Sequence, residues 1–157
     1  MEYYRAIVQY QFNKLKLIRE GIYPECGGNI EVELYTFFIL CYHLKDWIIN
    51  ENPECKSLIE VKVNKFIKES SVLKICDQIC QTIKHRKLTA KQWKYSTPIN
   101  FKLSSVMTIG PPGMMSEASL KNAQITTERG EECCFSLAEE CMNEWNRYFL
   151  ENGINNL

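Results

Sequence analysis

Apolar residues recur along most of the chain at intervals of three and four, the spacing of helices with one buried face. This pattern predicts five helices, which run from Glu2 to Glu20, about Ile30 to Asn50, Lys56 to Lys68, Val72 to Arg86, and Glu131 to about Asn152. The protein is therefore predicted to be mainly α-helical.

The second predicted helix is more apolar than a surface helix. One stripe at helical spacing consists of Leu34, Phe37, Phe38, Cys41, Leu44 and Ile48, and it is widened by Tyr35, Tyr42 and Ile49. An apolar surface of this width exceeds a normal amphipathic face. We expect this helix to be central and covered on several sides.

The other helices carry narrower core patterns. In the third, Leu58, Val61 and Phe66 are the expected anchors, and Ser70 or Ser71 is expected to cap the fourth helix through its hydroxyl. The core side of the fourth helix is predicted to contain Val72, Ile75, Cys76, Ile79, Cys80 and Ile83. The last helix carries Cys134, Leu137, Ala138, Cys141, Trp145, Tyr148 and Phe149 at core spacing, and Gly153 is expected to end it.

Between the fourth and last helices the period changes to two. Ile99, Phe101 and Leu103 alternate with polar residues, a pattern that continues to Ile109 and is typical of a half-buried strand. Gly-Pro-Pro-Gly at 110–113 interrupts it, and a second, weaker strand is expected between Leu120 and Thr127. We predict a single domain over residues 1–157, a bundle of about five helices with a β-hairpin inserted at about 97–127.

The composition of the chain argues against some classes of protein. Lysine plus arginine and aspartate plus glutamate number 19 each, so the whole chain has no general electrostatic preference for nucleic acid or acidic membranes. No apolar run reaches the roughly 18 residues of a membrane span, and charges near the N-terminus do not fit a signal peptide. We expect a cytoplasmic protein that does not associate with membranes.

Eight cysteines raise the question of disulfides or metal. Most lie at predicted core positions of helices, where cysteine behaves as a small apolar residue. The adjacent pair Cys133 and Cys134 forms no CxxC motif, and no two such motifs occur. We therefore expect reduced thiols, no metal site and no cofactor.

The first candidate site is a polar face of the second helix that contains His43, Asp46 and Trp47. Side chains three and four apart on a helix are neighbours, so His43 can contact Asp46 and stack on Trp47. In a functional interpretation Asp46 fixes the tautomer of His43, as acid/base catalysis or metal ligation requires. In the alternative, His43 is an interior histidine with satisfied hydrogen bonds, held between helices.

The second candidate site is the polar end of the fourth helix, with Gln81, Lys84, His85, Arg86 and Lys87. Cations at a helix C-terminus are favoured by the helix dipole whatever the function. Alternatively, Lys84, Arg86 and Lys87 bind phosphate oxygens while His85 relays a proton.

These motifs carry a family resemblance. YHLKDW on one long helix, LKICDQICQTIKHRKL on another, a hairpin and a final helix with a tryptophan resemble small bacterial helical proteins related to the HEPN superfamily. The resemblance covers about Tyr35 to Phe149. It implies a helical bundle that commonly dimerises, and many members are ribonucleases of toxin–antitoxin or antiphage systems.

The chain departs from the pattern that the resemblance implies. HEPN nucleases place an arginine four to six residues before the catalytic histidine, and no arginine precedes His85 in that window. Gln78 and Gln81 stand where an acid and an amide are expected. Lys84 lacks the planar fork with which arginine grips phosphate.

Three hypotheses follow for function. The first is a non-catalytic HEPN-like module, expected as a homodimer, that binds RNA, a nucleotide or a protein partner through Gln81, Arg86, Lys87 and Trp47. The second is a metal-independent ribonuclease that uses His85, Lys84, His43 and Asp46. In the third, His43, Asp46 and Lys84 only hold the second and fourth helices together.

Overall fold

The protein is described by a computed structural model over residues 2–20, 30–51, 53–85, 100–103, 123–127 and 129–154, with side chains at all of these positions except 84, 85 and 100–103. The described residues form the helices α1 (Glu2–Arg19), α2 (Ile30–Glu51), α3 (Lys56–Glu69), α4 (Ser71–His85) and α5 (Cys134–Glu151), with a short 3-10 turn at Pro53–Cys55. The mainly α-helical prediction is confirmed. None of these helices is both long enough and apolar enough to cross a membrane.

Helix α2 is the centre of the bundle. It packs against α1, α3, α4 and α5. All six residues of its predicted stripe are buried, as is Ile49, and Tyr35 and Tyr42 are half-buried. The prediction of a central helix covered on several sides is confirmed. Burial of so many large apolar side chains is the main source of stability in such a domain.

Helix α3 buries a different face from the predicted one. Phe66 is buried as expected, but Leu58 and Val61 are exposed, and Val63 and Ile67 are buried instead. The sequence of α3 contains two interleaved apolar stripes. Ile59, Val63, Phe66 and Ile67 span two turns at helical spacing and form the longer one, so they give α3 the larger surface to bury against α2 and α4.

The part of the chain that the structure describes contains three antiparallel strands before α5, in the order β1 (Asn100–Leu103), β2 (Ala123–Thr127) and β3 (Gly130–Cys133). The β1 and β2 pairing, with Phe101 opposite Ile125, confirms the hairpin before the last helix. Residues 104–122, which include the rest of the predicted first strand and the Gly-Pro-Pro-Gly turn, lie outside the described residues.

Strand β3 corrects the predicted start of the last helix. Residues 131–133 were predicted as helix, but they pair with β2, and α5 begins at Cys134. Gly130 adopts a positive φ of 111° where the chain turns back from β2. Glycine tolerates this conformation, so the chain can reverse and continue the sheet before it becomes helical.

Local contacts set the ends of the helices. The Ser70 hydroxyl accepts a hydrogen bond from the Leu73 amide at 3.3 Å, which confirms Ser70 as the cap of α4. At the end of α5, Gly153 has a φ of 65° and the Ile154 amide donates to the Phe149 carbonyl at 2.9 Å. This is the glycine-ended helix that the sequence predicts.

The two faces of α3 give a direct test of the packing. We expect Val63→Ala to lower the free energy of unfolding by about 2 kcal/mol, because two buried methyl groups are lost and a cavity remains. Val61 is 67% exposed, so Val61→Ala is expected to change stability by less than about 0.5 kcal/mol. Urea unfolding of both variants measures the difference. A larger loss at Val61 than at Val63 would show that α3 presents the other stripe to the core.

Candidate functional site

The first candidate pair lies on the solvent-facing side of α2. His43 Nδ1–H donates to Asp46 Oδ2 at 2.6 Å, and the two side chains are 47% and 46% exposed. The contact between residues three apart is as predicted. The interpretation of His43 as an interior histidine held between helices is wrong, because half of the side chain faces solvent. With Nδ1 bound to a carboxylate, Nε2 is the nitrogen that a ligand can reach.

Trp47 lies one turn beyond His43 and stacks on Tyr4 of α1. The ring centroids are 4.5 Å apart with an angle of 18° between the planes. The stacking predicted between His43 and Trp47 is absent, and the His43 ring meets Tyr42 edge-on at 5.7 Å instead. Tyr4 is itself fixed, since its hydroxyl donates to the Leu40 carbonyl at 3.3 Å. We call Tyr4, His43, Asp46 and Trp47 the α2 corner.

A second group of polar side chains connects α2 to α4. Lys45 contacts the Tyr42 hydroxyl, and its ammonium lies 3.8 Å from the centre of the Tyr42 ring. Burial, together with the neighbouring Asp77 carboxylate of α4, raises the pKa of Tyr42, so its hydroxyl stays protonated at neutral pH. Among the described side chains, the polar contact between α2 and α4 thus uses Tyr42 and Asp77, and not His43 and Asp46. The side chain of Lys84, the third residue of the hypothesis that these residues hold the two helices together, lies outside the described part.

The two glutamines of the second motif, Gln78 and Gln81, lie on α4 and differ in their contacts. Gln81 Nε2 donates to Asp77 Oδ1 at 3.2 Å, one turn earlier on the same helix. Gln78 Oε1 is buried without a hydrogen-bond partner among the residues that the structure describes. Gln81, predicted as a binding residue, is therefore already engaged with a carboxylate.

The remaining predicted site residues lie at or beyond the end of α4. Lys84 and His85 are its last two residues, and their side chains lie outside the described part, as do Arg86 and Lys87 entirely. The structure brings His43, Asp46 and Trp47 together on one face. The roles of Lys84, His85, Arg86 and Lys87 stay predictions.

A third polar group lies inside the core. The sulfur atoms of Cys41 in α2, Cys76 in α4 and Cys141 in α5 all lie within 4.8 Å of one another. Burial acts to raise the pKa of each thiol, but hydrogen bonds from the other two cysteines lower the pKa of Cys41. Hydrogen bonds and burial together raise the pKa values of Cys76 and Cys141. Helical spacing predicts that each cysteine is buried. It contains no signal that three helices bring them to one point.

The chain was compared with models of known protein families, with curated proteins and with solved structures, and none of the three comparisons gave a match.

The α2 corner offers two kinds of contact. Trp47 is 47% exposed and supplies a flat apolar surface whose orientation is fixed by Tyr4. His43 and Asp46 supply hydrogen-bonding groups beside it. A ligand with a planar ring and polar edges matches this pairing of a stacking surface with a polar rim.

Because His43 and Asp46 are half-exposed, their contact is predicted to contribute little to the stability of the fold. We expect His43→Ala and Asp46→Ala each to lower the free energy of unfolding by less than about 1 kcal/mol, because exposed ion pairs contribute little. Gln11 is the matched contrast. It is buried and donates to the Glu33 carbonyl at 3.1 Å and to Glu33 Oε2 at 2.8 Å. Gln11→Ala is expected to cost about 1–3 kcal/mol because it removes both hydrogen bonds to the partly buried acceptors of Glu33.

Thermal and urea unfolding of the three variants measure these changes. Losses at His43 and Asp46 as large as the loss at Gln11 would support a packing role for the pair and argue against a free surface site.

Proposed function

We propose that the protein is a non-catalytic HEPN-like helical module that binds an unpaired nucleobase, carried by RNA or by a free nucleotide, at the α2 corner. The observation that carries the proposal is the half-exposed indole of Trp47, stacked on Tyr4. The family relation rests on the sequence motifs, and a cytoplasmic role in a toxin–antitoxin or antiphage system belongs to the same proposal.

Stacking on an aromatic side chain is the usual way in which proteins hold unpaired bases. A mobile surface tryptophan would lose side-chain freedom when a base stacks on it. Trp47 has already lost that freedom, because Tyr4 covers one side of the indole and is itself bound to the Leu40 carbonyl. The exposed half of the side chain is available for a base, so binding requires little reorganisation.

The neighbouring polar groups suit the edges of a base. The imidazole Nε2 of His43 and the Asp46 carboxylate can accept hydrogen bonds from ring or exocyclic N–H groups. Asp46 is also held in place by the His43 contact, at 2.6 Å. This arrangement favours recognition of the base over recognition of the phosphate.

Phosphate contacts are expected from the end of α4. Lys84, Arg86 and Lys87 are the cations that are expected from the sequence to bind phosphate oxygens. The equal numbers of acidic and basic residues imply weak non-specific attraction to RNA. Binding is therefore expected to depend on stacking more than on total charge.

A ribonuclease is the second candidate function. The observation that favours it is the short contact between an exposed histidine and a carboxylate, His43 and Asp46, an arrangement that catalytic histidines share. In this alternative His85 is the general acid or base, and Lys84 or Arg86 stabilises the phosphate.

A homodimer or a protein partner is part of the proposal as well. Tyr3, Tyr10 and Leu17 are exposed at a spacing of seven residues along α1, which supports an apolar contact surface on that helix. Trp145 and Tyr148 of α5 are buried in the core, so the aromatic residues of α5 do not extend this surface.

The binding proposal is tested with a fluorescent single-stranded RNA oligonucleotide and, in parallel, with mononucleotides. We expect Trp47→Ala to weaken binding by about 5- to 100-fold, because stacking contributes about 1–3 kcal/mol per base. His43→Ala is expected to have a smaller effect of the same sign. Fluorescence anisotropy at low and at physiological salt measures both.

Tyr10→Ala is the matched control for this experiment. Tyr10 is an exposed aromatic residue that is separate from the α2 corner, so its removal is expected to leave affinity unchanged. Equal affinity of the parent protein and Trp47→Ala would refute the proposed site. Loss of binding in Tyr10→Ala alone would assign the interaction to the α1 surface.

Catalysis is tested separately from binding. We expect total RNA to remain intact after incubation with the purified parent protein, because the arginine of the nuclease motif is missing. The parent protein and His85→Ala are compared on a denaturing gel after circular dichroism has shown equal folding. Cleavage by the parent protein that disappears in His85→Ala would establish the ribonuclease and overturn the non-catalytic assignment.

A further inference from the structure

Three helices bring one cysteine each to the same point of the core. Cys41, Cys76 and Cys141 have no exposed surface, and their sulfur atoms lie within 4.8 Å of one another. Two of the thiols reach carbonyl oxygens on other helices. Cys76 donates to Phe38 of α2 at 3.5 Å, and Cys141 donates to Val72 of α4 over a long 4.0 Å. The three sulfurs therefore face one another across the α2, α4 and α5 contact.

The indole N–H of Trp145 is a buried polar group near the cysteine cluster. The Trp145 indole N–H is buried and has no hydrogen-bond acceptor in the described part of the chain. Trp145 follows Cys141 by four residues on α5, so the two side chains are neighbours on the same face of that helix. A buried N–H without a partner is costly, and a thiolate is a stronger acceptor than a neutral thiol. The Trp145 N–H would therefore find a good acceptor if the cysteine sulfurs of the cluster were thiolates.

We propose that Cys41, Cys76 and Cys141 form a buried site for one thiophilic d10 metal ion, Cu(I) or Zn(II), with the Trp145 indole as a hydrogen-bond donor to the ligating Cys41 sulfur. Thiolate sulfur selects these soft ions over magnesium, calcium or manganese. On binding, each thiol gives up its proton to solvent and its sulfur forms a bond to the ion. From the sequence we expected no metal here, because the chain lacks the paired CxxC motifs of common zinc sites.

The spacing of the sulfurs suits such an ion. With metal–sulfur bonds of about 2.3 Å, three ligands in a plane around one ion would be separated by about 4.0 Å. The sulfurs already lie within 4.8 Å of one another, so contraction by less than one ångström completes the site. Small rotations of the three side chains provide a movement of this size without displacing the helices.

The two ions differ in the number of ligands that they require. Cu(I) is stable with three thiolates, and the cluster supplies three. Zn(II) in structural sites takes four ligands. Cys80 is the nearest candidate for a fourth, because its thiol contacts the same Phe38 carbonyl as Cys76 does, at 3.1 Å. Coordination number therefore distinguishes the two ions.

The position of the site determines how an ion enters. The cluster is closed to solvent in the folded bundle, so an ion is bound as the helices assemble or during local opening. A groove of about 260 Å³ between α1, α2 and α5 is lined by Leu44 and by Trp145, which is one turn from Cys141 on α5. Metal loading is expected to be faster during refolding than in the native protein.

The experiment uses the full chain, refolded without oxygen in the presence of Cu(I) or Zn(II) and then desalted. We expect about one bound ion per chain by mass spectrometry of the metal content, and a higher melting temperature than that of the metal-free protein. X-ray absorption of the loaded parent protein is expected to show sulfur ligands alone, three for Cu(I) and four for Zn(II). This measurement needs no variant and therefore does not depend on a mutant that folds.

Variants then assign the ligands. Cys76→Ala and Cys141→Ala are expected to retain less than about a tenth of an ion per chain, because a missing ligand leaves an incomplete site. Cys134→Ala is the control, since Cys134 is equally buried on α5 but lies outside the cluster. Trp145→Phe keeps the ring, removes the N–H and is expected to weaken binding by about 10- to 100-fold.

Either of two results would overturn the proposal. The first is a failure of site formation, in which the parent protein binds neither ion after refolding or binds it through nitrogen or oxygen ligands. The second is an equal amount of bound metal in Cys76→Ala, Cys141→Ala and Cys134→Ala.

Discussion

The burial of α2 is the constraint on which the rest of the structure depends. An apolar helix of 22 residues can be kept from water only if other helices cover most of its circumference, and α1, α3, α4 and α5 do so. Its fully buried side chains, Leu34, Phe37, Phe38 and Cys41, leave little freedom in how these helices are placed. Close packing around a single helix then fixes which side chains from the other helices meet one another.

The same constraint produces the α2 corner. Because apolar residues take the covered sides of α2, His43 and Trp47 are directed to the one side that remains open to solvent. Tyr4 of α1 then closes part of that side by stacking on Trp47 at 4.5 Å. A surface group that is anchored on a rigid core helix holds its orientation better than one on a loop. A stacking surface for a base needs this fixed orientation.

The helices could be predicted from the sequence because their signal is local. The helix ends predicted from the sequence agree with the described helix ends to within one residue. The exception is the start of α5, which was predicted three residues too early. Prediction failed where local signals compete or are absent. Helix α3 contains two possible stripes, and only packing against α2 and α4 selects Val63 over Val61. Gly130–Cys133 shows no alternation, so its strand pairing was not visible.

Contacts between distant parts of the chain account for the remaining differences in the site. His43 and Asp46 are three apart on one helix, so their contact follows from helix geometry. The partner of Trp47 is 43 positions away in α1, and nothing near Trp47 in the sequence indicates it. The thiol cluster is the extreme case, since Cys41, Cys76 and Cys141 come from three helices. Cysteine can fill such a position as a small apolar residue, but that role does not account for the neighbouring Trp145 N–H, which has no acceptor among the described residues. An ion bound there would join α2, α4 and α5 at the point where the packing of α2 already brings them together.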